Sequence, residues 1–354
     1  MNILITGGFG FLGSHLVELL LEEPDNHVHV VDNFSTSPLP LPDLLEILRE
    51  RDNLTYSVMD VEDFCQSQPT KKYDAIYHLA SVVGPAGVLP HAGRIAHSML
   101  RDTMAIAELA LECDARVLDV STSEVYGGGQ EGYCSETMPK IVPAKSSARL
   151  EYAVGKLAAE TALLNLCAVG KLDARIVRPF NITGPRQSGR GGFVLPRFIG
   201  QALAGTDITV FGDGTQIRAF THVRDMVEGI ALAMRYGKVG EVYNLGNPKN
   251  RCTIHELATD VQRLTGTRSR IVHVDPKAIY GPLYEEANNK FPDASKAVAE
   301  LGWNPCHERE RAIQDTILFM TSLPERLLRH LRGFESVPRD VKLYQPDVTS
   351  AMGT

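Results

Sequence analysis

An α/β fold, a doubly wound parallel sheet carrying a smaller α/β lobe, is what the sequence predicts, on three observations. Apolar strand-like runs alternate with helical patterns through the first half of the chain. A glycine-rich turn, Gly7–Gly13, separates the first run from the first helical pattern. The runs are continuous instead of alternating, as strands covered on both faces are. In order, Ile3–Thr6 reads as a strand, Gly13–Glu22 as a helix and Val28–Asp32 as the next strand. Ala75–Leu79 and Val117–Ser121 are two more, and Leu172–Arg178 follows the long helical stretch Leu150–Ala168.

After about residue 180 the character changes. Gly and Pro punctuate Gly184–Gly192, and a helix is expected near Leu195–Ala204, with short strands at Ile208–Phe211 and Val242–Leu245. Thr253–Thr265 reads as a helix with Thr253 as N-cap and Glu256 three residues on, a capping-box pattern. The expected division is 1–180 for a dinucleotide-binding domain with the Tyr/Lys helix, 181–325 for an interleaved substrate lobe, and 326–354 for a tail whose end is mobile. No repeat or low-complexity tract interrupts this order.

At 354 residues, 44% apolar and 22% charged, the composition is that of an ordinary globular protein. A net charge of −7 argues against a nucleic-acid footprint, which needs a concentrated basic face. Six scattered cysteines with no CxxC or Cys/His spacing predict reduced thiols and no metal site. No apolar run of ~18 residues exists to span a membrane. The opening MNILITGG enters a strand without a basic n-region, so no signal peptide is expected and the cytoplasm is the expected location.

The segment Thr6-Gly7-Gly8-Phe9-Gly10-Phe11-Leu12-Gly13 follows a strand and opens a helix. Gly7, Gly10 and Gly13 supply a tight turn, close backbone approach to a pyrophosphate, and close helix–strand packing. Asp32 ends the next strand, where a carboxylate accepts both ribose hydroxyls and repels a 2′-phosphate. That favours NAD over NADP and predicts a Rossmann-like cofactor site. The alternative, a purely structural glycine turn, explains the glycines but not the placement of Asp32.

Tyr152 and Lys156 form a YxxxK pair inside the long helical stretch, so both side chains leave one face. A fixed ammonium beside a phenol favours phenolate, lowering a reference pKa of ~10. The phenolate can then take a proton from a sugar hydroxyl as hydride leaves for NAD. About thirty residues earlier, Ser121-Thr122-Ser123-Glu124-Val125-Tyr126-Gly127 ends a strand with hydroxyls able to hold the substrate O4. A surface Tyr/Lys pair explains YxxxK alone, but not its distance from this strand end.

With GxxGxxG, Asp32, the STSEVYG segment and YxxxK together, the chain resembles the extended short-chain dehydrogenase/reductase family of NAD-dependent nucleotide-sugar epimerases, dehydratases and decarboxylases. The resemblance covers residues 1–320. It implies that Phe11, Leu12, Asn33, Asp60, Val61, Leu79, Ala80 and Ser81 join the cofactor site, with Asp60 and Val61 at the adenine. The family's NxxGT segment is reduced to Arg101-Asp102-Thr103, with Met99 at the Asn position. Thr122, Ser123 and Glu124 are implied beside the sugar, Glu124 as a base or steering charge near C5 or C6. The dehydratases usually carry Asp-Glu there; Ser123-Glu124 is closer to the UDP-glucuronate decarboxylases and UDP-apiose/xylose synthases.

The same resemblance places Asn181, in Arg178–Arg186, at the substrate diphosphate or sugar and Arg218 at the diphosphate, a task suited to a guanidinium fork. Val194–Phe198 and Ile208–Gly212 are implied around the base, and Tyr280–Glu285 with Lys290–Ala297 in the substrate site. Val194, Tyr284 and Lys290 are thus further substrate residues. Lys290 stands where that branch generally has arginine. A homodimer pairing the helices of Tyr152–Leu166 and Ala105–Cys113 is implied as well. The expectation is a nucleotide-sugar enzyme, UDP-sugar favoured, working by transient C4 oxidation. A decarboxylase-like reaction leads, with a C4-epimerase and then a dehydratase as alternatives. The contrasting class, a non-catalytic NAD-binding sensor, is disfavoured because Tyr152 and Lys156 are both retained.

Overall fold

The computed structural model describes residues 1–49, 51–67, 72–127, 133–142, 146–286 and 289–331; most of the expected tail, 332–354, lies outside the described residues. Seven parallel strands form the main sheet: β1 Asn2–Thr6, β2 His27–Asp32, β3 Leu54–Val58, β4 Ala75–His78, β5 Arg116–Val120, β6 Ala174–Pro179 and β7 Val242–Leu245. Their order across the sheet is β7-β6-β5-β4-β1-β2-β3. The winding direction reverses at β1, whose Ile3 stands in register with Val28 on one side and Ala75 on the other. In such sheets the crevice for a ligand opens at the carboxyl ends beside that reversal.

Helices α1 Phe11–Leu20, α2 Leu41–Leu48, α3 Val61–Ser67, α4 Ile95–Cys113 and α5 Ala148–Ala168 accompany the first five crossovers. Ile3, Ile5, Ala75, Tyr77, Leu118 and Val177 pack on one sheet face with Leu16 and Val17 of α1. Leu4, Ile76, Val117 and Ile176 pack on the other with Ile106 of α4 and Leu163 of α5. This two-sided burial is why the strands read as unbroken apolar runs. The edge strand β3 departs from that pattern: Tyr56 and Val58 are exposed, and its mixed sequence carries no comparable signal.

The chain crosses between the two parts repeatedly, as β7 belongs to the main sheet although it follows much of the lobe in sequence. The lobe contains Val194–Leu203, Ile254–Thr265 and Arg309–Ser322, packed through Phe198, Ile199, Leu257, Val261, Ile313 and Met320. Strand Ile208–Phe211 pairs parallel with Ile271–Val274 beneath them. The capping box at Thr253 and Glu256 is present, with both reciprocal hydrogen bonds. Among the described residues no helix is long and apolar enough to cross a membrane.

Candidate active site

The glycine turn is built by steric necessity. Gly7 has φ +69°, and a Cβ there would sit 2.8 Å from the Ala80 nitrogen. A Cβ on Gly13 would lie 2.1 Å from the Gly7 carbonyl oxygen and 2.7 Å from the Gly8 Cα, so helix and turn approach more closely than any side chain permits. The N-terminus of α1, capped by no side chain, thereby faces the cleft with free N–H groups. Asp32 stands at the end of β2, its carboxylate accepting N–H groups from Phe9 at 3.0 Å and Phe34 at 2.8 Å. Burial pushes its pKa up and these backbone donors pull it down. Asn33 donates to the Asp60 carboxylate at 2.7 Å, joining the two segments expected at the adenosine end.

The second constellation is positioned by α5. Ser147 caps it, its hydroxyl accepting the Leu150 N–H. Glu151 reaches across to accept N–H groups of Gly93 at 2.6 Å and Ile95 at 2.8 Å, capping α4 from a neighbouring helix. Gly155 lets the two helices cross closely, since a Cβ there would lie 2.7 Å from the Ala96 Cα. With these residues turned to α4, Tyr152 and Lys156 are left on the cleft side.

Lys156 is buried and its ammonium donates to the Val120 carbonyl at 2.8 Å. Tyr152 is hydrogen-bonded to Thr122. Burial raises the Tyr152 pKa, with Glu124 and Asp119 adding to the rise and Thr122 opposing it.

Glu124 follows the end of β5 in a short 3-10 turn, Ser123–Tyr126. Its carboxylate is clamped between two cations. Lys290 Nζ lies 2.5 Å from Oε1, and Arg149 Nε lies 2.7 Å from Oε2. Burial alone would raise its pKa, but Lys290 and Arg149 outweigh it and hold the carboxyl well below the usual range. Lys290 is itself pushed down to about 8, by burial first and by Arg149 and Arg218, with Glu124 resisting.

One cleft of about 900 Å³ connects these groups. Gly7, Gly10, Phe11, Leu12, Gly13, Asp32, Asn33, Asp60, Val61, Leu79, Ala80 and Ser81 line one end. Thr122, Ser123, Glu124, Tyr152 and Lys156 line its middle, and Asn181, Val194, Arg218 and Tyr284 the lobe end. Lys290 is joined to two of these lining residues, by a β-bridge to Arg218 and an ion pair with Glu124.

Sequence reasoning missed Arg149 and Glu286, and named Arg197 only as part of Val194–Phe198. Arg149 lines the cleft three residues before Tyr152, and that helical spacing was the available signal. Arg197 is buried with its guanidinium 3.9 Å from the Phe211 ring centroid, a cation–π contact within the segments expected around a base. Glu286 pairs with Arg218 at 3.2 Å and accepts from the Tyr284 hydroxyl at 2.8 Å. A separate cluster of Asp225, Cys306 and His307 lies away from the cleft, and Asp225 already accepts from the His307 N–H and ring.

The fold and this site define a dinucleotide-dependent oxidoreductase scaffold with a Tyr/Lys pair at its cofactor cleft. The chain belongs to the NAD dependent epimerase/dehydratase family, whose model matches residues 3–246. It is 35% identical over 315 residues to a UDP-N-acetyl-alpha-D-glucosaminuronate decarboxylase of Bacillus cytotoxicus, spanning 89% of this chain and 96% of the relative. It is 34% identical to UDP-glucuronic acid decarboxylase 6 of Arabidopsis thaliana, over 86% of this chain and 84% of that one. Among solved structures it resembles the UDP-glucose 4-epimerase of Thermotoga maritima with UDP-glucose (TM-score 0.79, 26% identity, 91% of this chain and 99% of that). It also resembles the UDP-glucuronic acid 4-epimerase of Bacillus cereus with UDP-glucuronic acid and NAD (TM-score 0.75, 27%, 90% and 98%). The protein is an NAD-dependent enzyme of this family.

Proposed function

We propose that this enzyme decarboxylates a UDP-hexuronate through transient oxidation at C4. The observation that carries the reading is Glu124, held ionised by Arg149 and Lys290 beside Thr122 and Tyr152. The decarboxylase relatives support it.

The glycine turn, the free end of α1 and the Asp32 carboxylate fit NAD, as the cradle at Gly13 has no room for a side chain. NAD supplies the hydride acceptor when bound. Tyr152 takes the C4 hydroxyl proton in its phenolate form, which the Lys156 ammonium on the same helix would favour against the burial that opposes it, while Thr122 holds the oxygen. The resulting 4-keto group makes the C5 carboxylate a good leaving group as carbon dioxide. Glu124 remains anionic and steers charge near C5 and C6, and Arg149 presents a cation to the same part of the cleft. Tyr152, now protonated, stands over the C4 oxygen where enolate charge develops; protonation at C5 and return of the hydride to C4, with Tyr152 giving its proton back to the oxygen, complete the net loss of carbon dioxide. Arg218 and Asn181 hold the diphosphate end and Arg197 with Phe211 the base.

Mass spectrometry of the enzyme with UDP-glucuronate and NAD tests this, with loss of one carbon dioxide as the expected result. Unchanged mass with a shifted sugar NMR pattern would instead establish a C4-epimerase, the second reading, which the two epimerase structures favour.

The protein acts as a homodimer in this reading, with a second copy covering exposed Leu100 and Leu111 of α4 and Val154 of α5. A monomeric mass in light scattering refutes that. The free thiols of all six cysteines support a cytoplasmic location.

A further inference from the structure

Between β4 and α4 the chain forms one wall of the cleft, residues 82–94. The wall is a series of tight turns: Val88 donates to the Gly84 carbonyl at 3.2 Å, His91 to Val88 at 3.1 Å and Arg94 to His91 at 3.0 Å. Val82, Val83, Gly84, Gly87, Val88 and Pro90 line the cleft. Val82, Val88 and Leu89 also share an apolar cluster with Tyr152, completed by Ile95, Met99 and Ala148. The wall is thus packed against the residue that carries the proposed chemistry.

Fastenings at its middle and at its end hold this wall. At the middle, the Gly191 carbonyl accepts the N–H groups of Ala86 at 3.0 Å and Gly87 at 3.4 Å. The approach is close, since a Cβ on Gly84 would lie 2.4 Å from that oxygen. At the end, Glu151 Oε2 accepts from Gly93 at 2.6 Å, and Oε1 from Ile95 at 2.8 Å and Ala96 at 3.3 Å.

The free N–H groups of a helix's first turn need acceptors, and the common source is a Ser, Thr, Asp or Asn at the N-cap itself. At that position α4 has Arg94, which makes no side-chain cap. The acceptor comes instead from α5, from the residue next to Tyr152 and 55 to 58 residues along the chain. A local cap would satisfy the same helix N–H groups. Only a cap carried by α5 also fixes the wall relative to the helix that bears Tyr152. One turn further along α5, Gly155 brings the two helices into close contact, as a Cβ there would lie 2.7 Å from the Ala96 Cα.

We propose that Glu151 is a positioning residue for C4 oxidation: it fastens the wall to the catalytic helix, and the wall holds the Tyr152 ring in place through Val82, Val88 and Leu89. Without this carboxylate the wall loses its end fastening, its packing on Tyr152 loosens, and the phenol meets the C4 hydroxyl less often in reacting geometry. This rests on Tyr152 acting as the base in the proposed reaction.

The test compares wild type, E151A and E151Q, the last keeping one oxygen able to accept. With UDP-glucuronate at saturating NAD, kcat should fall about 10- to 100-fold in E151A and less in E151Q. Calorimetric affinities for NAD and for UDP should stay within about twofold, because the loss lies in the reacting geometry and not in binding. Hydrogen exchange resolved to single amides should rise at Ala86 and Gly87, whose acceptor is Gly191, as well as at Ile95 and Ala96. An unchanged kcat with only a lower melting temperature makes Glu151 a plain helix cap and overturns the proposal. Faster exchange confined to Gly93, Ile95 and Ala96 overturns it too. If E151A does not fold, E151Q carries the test. If the wild type leaves UDP-glucuronate untouched, the substrate reading fails by itself, and exchange at Ala86 and Gly87 decides this one.

Discussion

Replacing Lys290 with arginine should abolish an alkaline limb in the enzyme's pH profile. Lys290 is 1% exposed, and burial, reinforced by Arg149 and Arg218, lowers its pKa from 10.5 to about 8 despite the Glu124 carboxylate 2.5 Å away. At 1.36 kcal/mol per pH unit, keeping the ammonium charged costs the fold about 3 kcal/mol. The sign follows from the direction. A depressed lysine pKa contributes stability that is full above its ordinary value and lost as pH falls through about 8. At neutral pH the protein therefore bears that cost, and it holds Glu124 in return. Above about pH 8 the neutral amine no longer does so, and kcat/KM, which reports free-enzyme groups, should fall about tenfold per pH unit. Guanidinium stays charged throughout, so K290R should be flat over that range. The assay is initial-rate kinetics with UDP-glucuronate at saturating NAD for wild type, K290R and K290M, the last low at every pH. An alkaline limb kept by K290R at the same pH, or a wild type flat through pH 8, would refute the reasoning.

Two further outcomes follow from the geometry. G13A puts a methyl 2.1 Å from the Gly7 carbonyl, a contact only backbone movement relieves, so NAD affinity measured by calorimetry should drop about 100-fold. R178M strands the Glu160 carboxylate in the core and removes a donor from Tyr126; urea unfolding should show a loss of about 3–5 kcal/mol, largely recovered in E160Q/R178M.

Some of this protein was legible in its sequence because the relevant physics is local. The turn Gly7–Gly13, the α5 face shared by Tyr152 and Lys156, and the capping box at Thr253 depend on backbone geometry over a few residues. Spacing alone reports them. The buried strands were legible too, since coverage on both faces leaves a continuous apolar run, while β3 at the edge, half exposed, escaped the same reading.

What tertiary structure decided are the encounters between distant segments. Glu124 meets Arg149 and Lys290 only because the crossovers bring a strand end, a helix and a bridged segment near the chain's end to one place; Lys290 is 166 residues away in sequence. The same convergence joined Lys290 to Arg218 by a β-bridge and turned the Lys156 ammonium to Val120. Asp119 sits in an otherwise ordinary strand run, and nothing near it in sequence tells that both its oxygens end buried and without a hydrogen bond among the described residues. Charge, burial and hydrogen bonding at such sites are sums over neighbours that only the folded chain assembles, so residue order can name the participants but not their partners.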